Sequence, residues 1–127
     1  MNFQYKYKFY INASHYITTK GVRGMVHSHC FELVIELLAL KSPLEGGEEG
    51  DMLSFTDMEN LIEDSLSRYQ EVLLNDIEPF DRLSPTVENL CMEFKRVIEK
   101  RLESEDWRIL SVELSETPTR SFIIVEE

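Results

Sequence analysis

The 127-residue chain predicts an α+β fold: a four-stranded antiparallel sheet in ββααββ order, with both helices packed on one face of it. Three observations carry this expectation. Strict apolar alternation opens the chain and returns near its end, helical spacing fills the middle, and a proline marks the start of the second helix. The length suits one core, so residues 1–127 are expected to form a single domain.

In the first predicted strand, Phe3, Tyr5, Tyr7, Phe9, Ile11 and Ala13 share one face, and Gln4, Lys6, Lys8 and Asn12 take the other. A second alternating run begins at Val26. It places His27, His29, Phe31, Leu33, Ile35 and Leu37 on one side, and Ser28, Cys30, Glu32 and Glu36 on the other. Between the runs, Thr18, Thr19, Lys20, Gly21 and Gly24 supply turn chemistry, and an antiparallel hairpin is the simplest connection. Ser42 to Gly50 has one proline, three glycines and three glutamates but no apolar period, and is expected to be an exposed, mobile loop.

From Phe55 the period changes to that of a helix, with Met58, Leu61, Ile62, Leu66, Tyr69 and Leu73 on one stripe. The second helix is expected to take Ser84 as its N-cap and Pro85 as its first residue. Its apolar stripe is Leu90, Cys91, Phe94, Val97, Ile98 and Leu102. After Trp107, Leu110, Val112 and Leu114 predict a third strand on one face. Phe122 to Val125 forms a short fourth strand beyond the Thr117–Pro118 turn.

Charge narrows the partners. Thirteen Lys and Arg stand against 24 Asp and Glu, for a formal net charge of -11, which repels nucleic-acid phosphates and anionic membranes. No membrane partner is expected, because the apolar tract Leu33 to Leu40 is interrupted by Glu36 and is too short to span a bilayer. No secretory leader is recognisable, so the cytoplasm is the expected location. Cys30 falls in a strand and Cys91 in a helix, without the spacing of a disulfide scaffold, and both are read as reduced thiols.

The three histidines carry the chemistry. His27 and His29 lie two apart on a strand and leave the same face. His15 continues the apolar face of the first strand, and a hairpin turning near Gly21 returns the chain so that all three imidazoles project from one end of one sheet face. Such a set suits zinc, with a fourth position left for water or substrate. Each histidine alone would read as an ordinary polar side chain at a strand end.

The segment Ile11-Asn12-Ala13-Ser14-His15, followed by His27-Ser28-His29, resembles the metal-binding signature of the 6-pyruvoyl-tetrahydropterin synthase and 6-carboxytetrahydropterin synthase family. Leu74-Asn75 resembles the end of that family's Leu-Asp-His-x-x-Leu-Asn motif. Ser84-Pro85-Thr86-Val87-Glu88-Asn89 resembles its Asn-Pro-Thr-x-Glu-Asn helix start, and Glu116-Thr117 its Glu-Thr pterin anchor. The resemblance implies the tunnelling fold (T-fold), with subunits joined edge to edge into a homo-oligomer, a trimer or a hexamer. It also implies zinc, a pterin or purine ligand such as 7,8-dihydroneopterin triphosphate, and a pterin held by Glu116 with Thr117. Lyase chemistry on that substrate, or a non-catalytic relative that keeps the fold and the metal, are the two activities it allows.

Departures from the pattern fall on the proton-transfer residues. The family's cysteine, four residues before the His-x-His pair, is replaced by Arg23, and its Asp-His pair by Gln70 and Glu71. A guanidinium stays protonated and an amide does not titrate, so Glu71 is the acid–base candidate and Arg23 a candidate contact for substrate phosphate.

Overall fold

The computed structural model describes residues 1–44, 54–103 and 106–127. Most of the loop expected at Ser42 to Gly50 lies outside the described residues. Strand β1 (Phe3–His15) pairs antiparallel with β4 (His27–Ala39), which pairs with β5 (Trp107–Thr117), and β5 pairs with β6 (Arg120–Val125). The sheet order is β1-β4-β5-β6. A short ribbon, β2 (Thr18–Thr19) with β3 (Val22–Arg23), caps the connection between β1 and β4.

Local chemistry explains that connection. Lys20 and Gly21 both take positive φ, +50° and +78°, as a two-residue hairpin turn matched to the twist of its strands requires. At Gly24 an added Cβ would lie 2.7 Å from the carbonyl oxygen of Ile17, which accepts a hydrogen bond from the Gly24 N–H. The turn therefore holds β1 and β4 in one register from Phe3↔Ala39 to His15↔His27.

Helices α1 (Phe55–Leu66) and α2 (Val87–Arg101) cover one face of the sheet and contribute Met58, Ile62, Leu66, Leu90, Phe94 and Ile98 to the core. The opposing strand residues Ile11, Phe31, Leu33, Ile35, Leu37, Val112 and Leu114 are fully buried. Cys91 is also in this core: its thiol donates to the Val112 carbonyl oxygen at 3.6 Å, and burial pushes its pKa up to about 12. It is an inert core residue. Among the described residues, no helix is long and apolar enough to cross a membrane.

Three elements differ from the sequence expectation. Helix α1 stops at Leu66 instead of continuing through Leu73, because the following chain becomes a cover for the outer edge of β1. There the Glu71 N–H donates to the Asn12 carbonyl, the Ser14 N–H donates to the Val72 carbonyl, and Ser14 bridges Leu73 in parallel. Gln70 completes the cover, accepting from the Asn12 N–H and donating to the Tyr10 carbonyl. Edge hydrogen bonds outweigh helix continuation here because otherwise this stretch of β1 would leave its backbone groups unpaired.

The cap of α2 is Thr86 and not Ser84. Thr86 Oγ1 accepts from the Asn89 N–H, while the Ser84 carbonyl accepts from the Asn89 side chain, so Pro85 precedes the helix. In β5 the register with β4 shifts between Glu36↔Ser111 and Leu37↔Ile109. The extra residue, Leu110, loses its expected core place to Ile109, because a bulge exchanges the faces on either side of it.

Candidate metal and ligand site

The register alone puts two of the histidines side by side. His15 ends β1 and His27 begins β4 as direct partners, and His29 lies two residues further, opposite Ala13. Their ring centroids are 4.6 Å (His15–His27), 5.2 Å (His15–His29) and 4.7 Å (His27–His29) apart. Fully buried Phe31 forms the floor, its ring 5.6 Å from that of His15 and 5.5 Å from that of His29.

A fourth group arrives from β5. Glu116 Oε1 lies 3.1 Å from His15 Nε2 and 3.6 Å from His29 Nε2. One ligand atom from each of His15, His27, His29 and Glu116 fits within 4.8 Å of all the others. Glu116 follows Val112 and Leu114 on the inward parity of β5, a pattern present in the sequence. Its place beside the histidines depends on β5 lying next to β4, which the sequence does not state.

Backbone carbonyls orient two of the rings. His15 Nδ1 lies 2.8 Å from the Pro85 carbonyl oxygen and His27 Nδ1 lies 3.0 Å from that of Met25. A carbonyl only accepts, so each Nδ1 bears the proton and in the neutral ring each Nε2 presents a lone pair, the state in which imidazole binds a metal. His15 Nε2 and His29 Nε2 are buried and have no hydrogen-bond partner. Unpartnered imidazole nitrogens converging beside a carboxylate are chemically suited to a divalent cation with imidazole and oxygen preferences, so these residues fit zinc.

The His29 pKa is lowered, first by burial, then raised in part by Glu116 and lowered further by His15 and His27. A histidine whose folded pKa lies below its unfolded value of about 6.5 stabilises the fold above that pH, and the contribution is lost as pH falls towards the folded value. Urea unfolding of the metal-free protein should accordingly show declining stability from pH 7 to 5. The decline should be shallower in His29→Gln; an unchanged slope would remove His29 as its source.

The remaining candidates lie around this cluster. Glu71 is exposed and lines a groove of about 480 Å³ together with Ser14, Ser28, His29 and Cys30. It holds φ of +56°, a left-handed conformation that costs a non-glycine residue about 1–2 kcal/mol. Glu71→Gly should therefore keep or raise stability, by at most about 1 kcal/mol after the added unfolded-chain entropy. A loss above that in chemical denaturation would mean that the carboxylate itself holds the segment. Thr117 adjoins Glu116, with its hydroxyl 3.3 Å from that of Thr119. Arg23 is not gathered into the cluster: its guanidinium stacks 3.9 Å from the Tyr16 ring centroid. Gln70, at one of the departed positions, is engaged with the backbone of β1.

An antiparallel sheet backed by two helices, with imidazoles and a carboxylate meeting at the strand ends, defines a T-fold protein of the pterin-synthase type. The family model for 6-pyruvoyl tetrahydropterin synthase matches residues 4–127, and the chain belongs to that family. Among solved structures, the 6-pyruvoyl tetrahydropterin synthase of Caenorhabditis elegans superposes with a TM-score of 0.80 at 14% identity, covering 100% of this chain and 97% of that one. The Plasmodium falciparum enzyme gives 0.70 at 13%, covering 98% of each chain. A Plasmodium vivax enzyme, described as a catalytic residue mutant with glutamate changed to cysteine, gives 0.61 at 14%, covering 98% of this chain and 97% of its own. At these identities the likeness speaks for the fold. No curated protein sequence matches the chain significantly.

Proposed function

We propose that this protein holds zinc through His15, His27 and His29 and binds a pterin such as 7,8-dihydroneopterin triphosphate beside it. The observation that carries the reading is the pair of buried, unpartnered Nε2 atoms facing the Glu116 carboxylate, with the His15 and His27 tautomers set by backbone carbonyls. Bound there, zinc would supply Lewis-acid polarisation of the ligand's side-chain oxygens. The other roles belong to the chain. Glu116 can accept the paired N–H donors of a guanidine-like ring edge, with Thr117 beside it. Arg23, stacked and exposed, is free to offer its fork to phosphate. The sheet is bounded by β6 and by β1, whose outer edge is covered only from Tyr10 to Ser14, and the uncovered stretches of these two edges suit assembly with other copies into a trimer or hexamer.

Binding without the family's usual turnover is supported by the departed positions: Gln70 braces the edge of β1 and Arg23 stacks on Tyr16. A second reading, lyase turnover with Glu71 moving the proton, rests on the groove that Glu71 shares with His29. A glutamate described as a catalytic residue in the Plasmodium vivax relative lends a carboxylate precedent.

One experiment separates these readings. Zinc-loaded protein is incubated with 7,8-dihydroneopterin triphosphate while its consumption and the melting temperature are followed. Binding predicts a raised melting temperature with intact substrate. Consumption that disappears in Glu71→Gln selects the lyase, and neither a shift nor consumption rejects the pterin reading.

A further inference from the structure

From the position of Glu116 we infer that it is the fourth ligand of the metal in the ligand-free protein, so that the resting site is a closed set of three imidazoles and one carboxylate. The inference rests on the zinc reading above and changes its coordination: three histidines alone would leave an open position for water.

An electrostatic conflict lies at the centre of the cluster. His15 is 1% exposed, and in the neutral ring, with its Nδ1 proton donated to Pro85, its Nε2 carries only a lone pair. That lone pair faces Glu116 Oε1, another acceptor, across 3.1 Å. Two acceptors at this distance in a buried place repel unless something positive lies between them. A proton on Nε2 would turn the contact into an ion pair, but the two atoms lack the geometry of a hydrogen bond, and His15 Nε2 has no hydrogen-bond partner despite the short separation. His29 Nε2 is likewise buried beside the same Oε1, at 3.6 Å and with no hydrogen bond.

A cation would give both unpartnered nitrogens a partner at once. Tetrahedral ligands about 2.0–2.1 Å from zinc stand about 3.3–3.4 Å from one another, by the geometry of the tetrahedron. The two carboxylate–imidazole separations, 3.1 and 3.6 Å, lie on either side of that edge length. His27 completes the set within the 4.8 Å that encloses all four ligand atoms.

The arrangement has a consequence for the ligand. One carboxylate cannot close the metal and grip a ring edge in the same position, so a ligand offering paired N–H donors draws Glu116 away and opens the metal to the ligand's own oxygens. Ligand entry and opening of the coordination sphere are then a single event, and the resting centre is shielded from adventitious anions.

Zinc affinity, measured by competition with a chromophoric chelator, tests this in the wild-type protein, Glu116→Gln and His27→Ala. Glu116→Gln should weaken zinc at least tenfold, beyond the lower bound for losing a supporting group. Affinity in Glu116→Gln within about twofold of wild type, with His27→Ala strongly weakened, would overturn the fourth ligand and leave the histidine site standing. Wild-type protein that takes up no zinc would overturn both. A measurement on the unaltered chain guards against a variant that does not fold. The absorption spectrum of cobalt(II)-loaded wild type should not respond to millimolar azide, because no position is open. A clear azide-induced shift would contradict the closed site.

Discussion

His15→Ala should abolish stoichiometric zinc binding, with a loss of affinity greater than the 10–100-fold typical of changes outside the ligand set. Of the three imidazoles His15 is the most deeply placed, 1% exposed, with its ring fixed on one side by the Pro85 carbonyl and facing Glu116 on the other. Its removal also leaves the Pro85 carbonyl without a buried donor, at a cost of about 1–3 kcal/mol. Chemical denaturation of the metal-free variant, set beside its zinc titration, separates the two effects. His15→Asn, which can restore a donor to Pro85 but presents no imidazole, should recover part of the stability and none of the metal. Retained one-to-one zinc in either variant would show that the metal, if bound, sits elsewhere.

Phe31→Ala carries the largest expected effect on the fold, a loss of about 3–5 kcal/mol, because it empties a fully buried aromatic position. The same ring supports His15 and His29 from below, so the cavity would also free two imidazoles to turn. Zinc affinity should fall with stability, although Phe31 offers no ligand atom. Phe31→Leu keeps most of the volume and should recover most of both quantities in urea unfolding and chelator competition. If Phe31→Ala lost stability but held zinc as tightly as wild type, the floor would be shown to support the core without positioning the ligands.

Much of this fold was legible because its long strands follow a strict period of two. The alternation from Phe3 to Ala13 and from His27 to Leu37 specifies which face is buried, and the turn chemistry at Lys20 and Gly21 limits the register; together they bring His15 opposite His27. What escaped was set by contacts distant in sequence. Leu73 has helical spacing, yet its segment serves the edge of β1, some 60 residues away, through Gln70, Glu71 and Val72. Leu110 alternates correctly with Val112, but a bulge against β4 gives its inward place to Ile109.

The site divides along the same line. Thr86 and Ser84 are both able caps, and only the direction of the Asn89 backbone and side chain decides between them. Glu116 reads in sequence as a ring anchor by resemblance, while its approach to His15 and His29 follows from the neighbouring position of β5 in the sheet. The Pro85 and Met25 carbonyls that orient His15 and His27 are backbone groups and leave no mark in residue identity.

Whether the three histidines hold zinc is decided by elemental analysis of the protein after purification and exhaustive dialysis against metal-free buffer, followed by addition of one equivalent of zinc. One zinc per chain should be retained after a second dialysis, with none retained by His15→Ala. Wild-type protein that releases its zinc as readily as His15→Ala would contradict it.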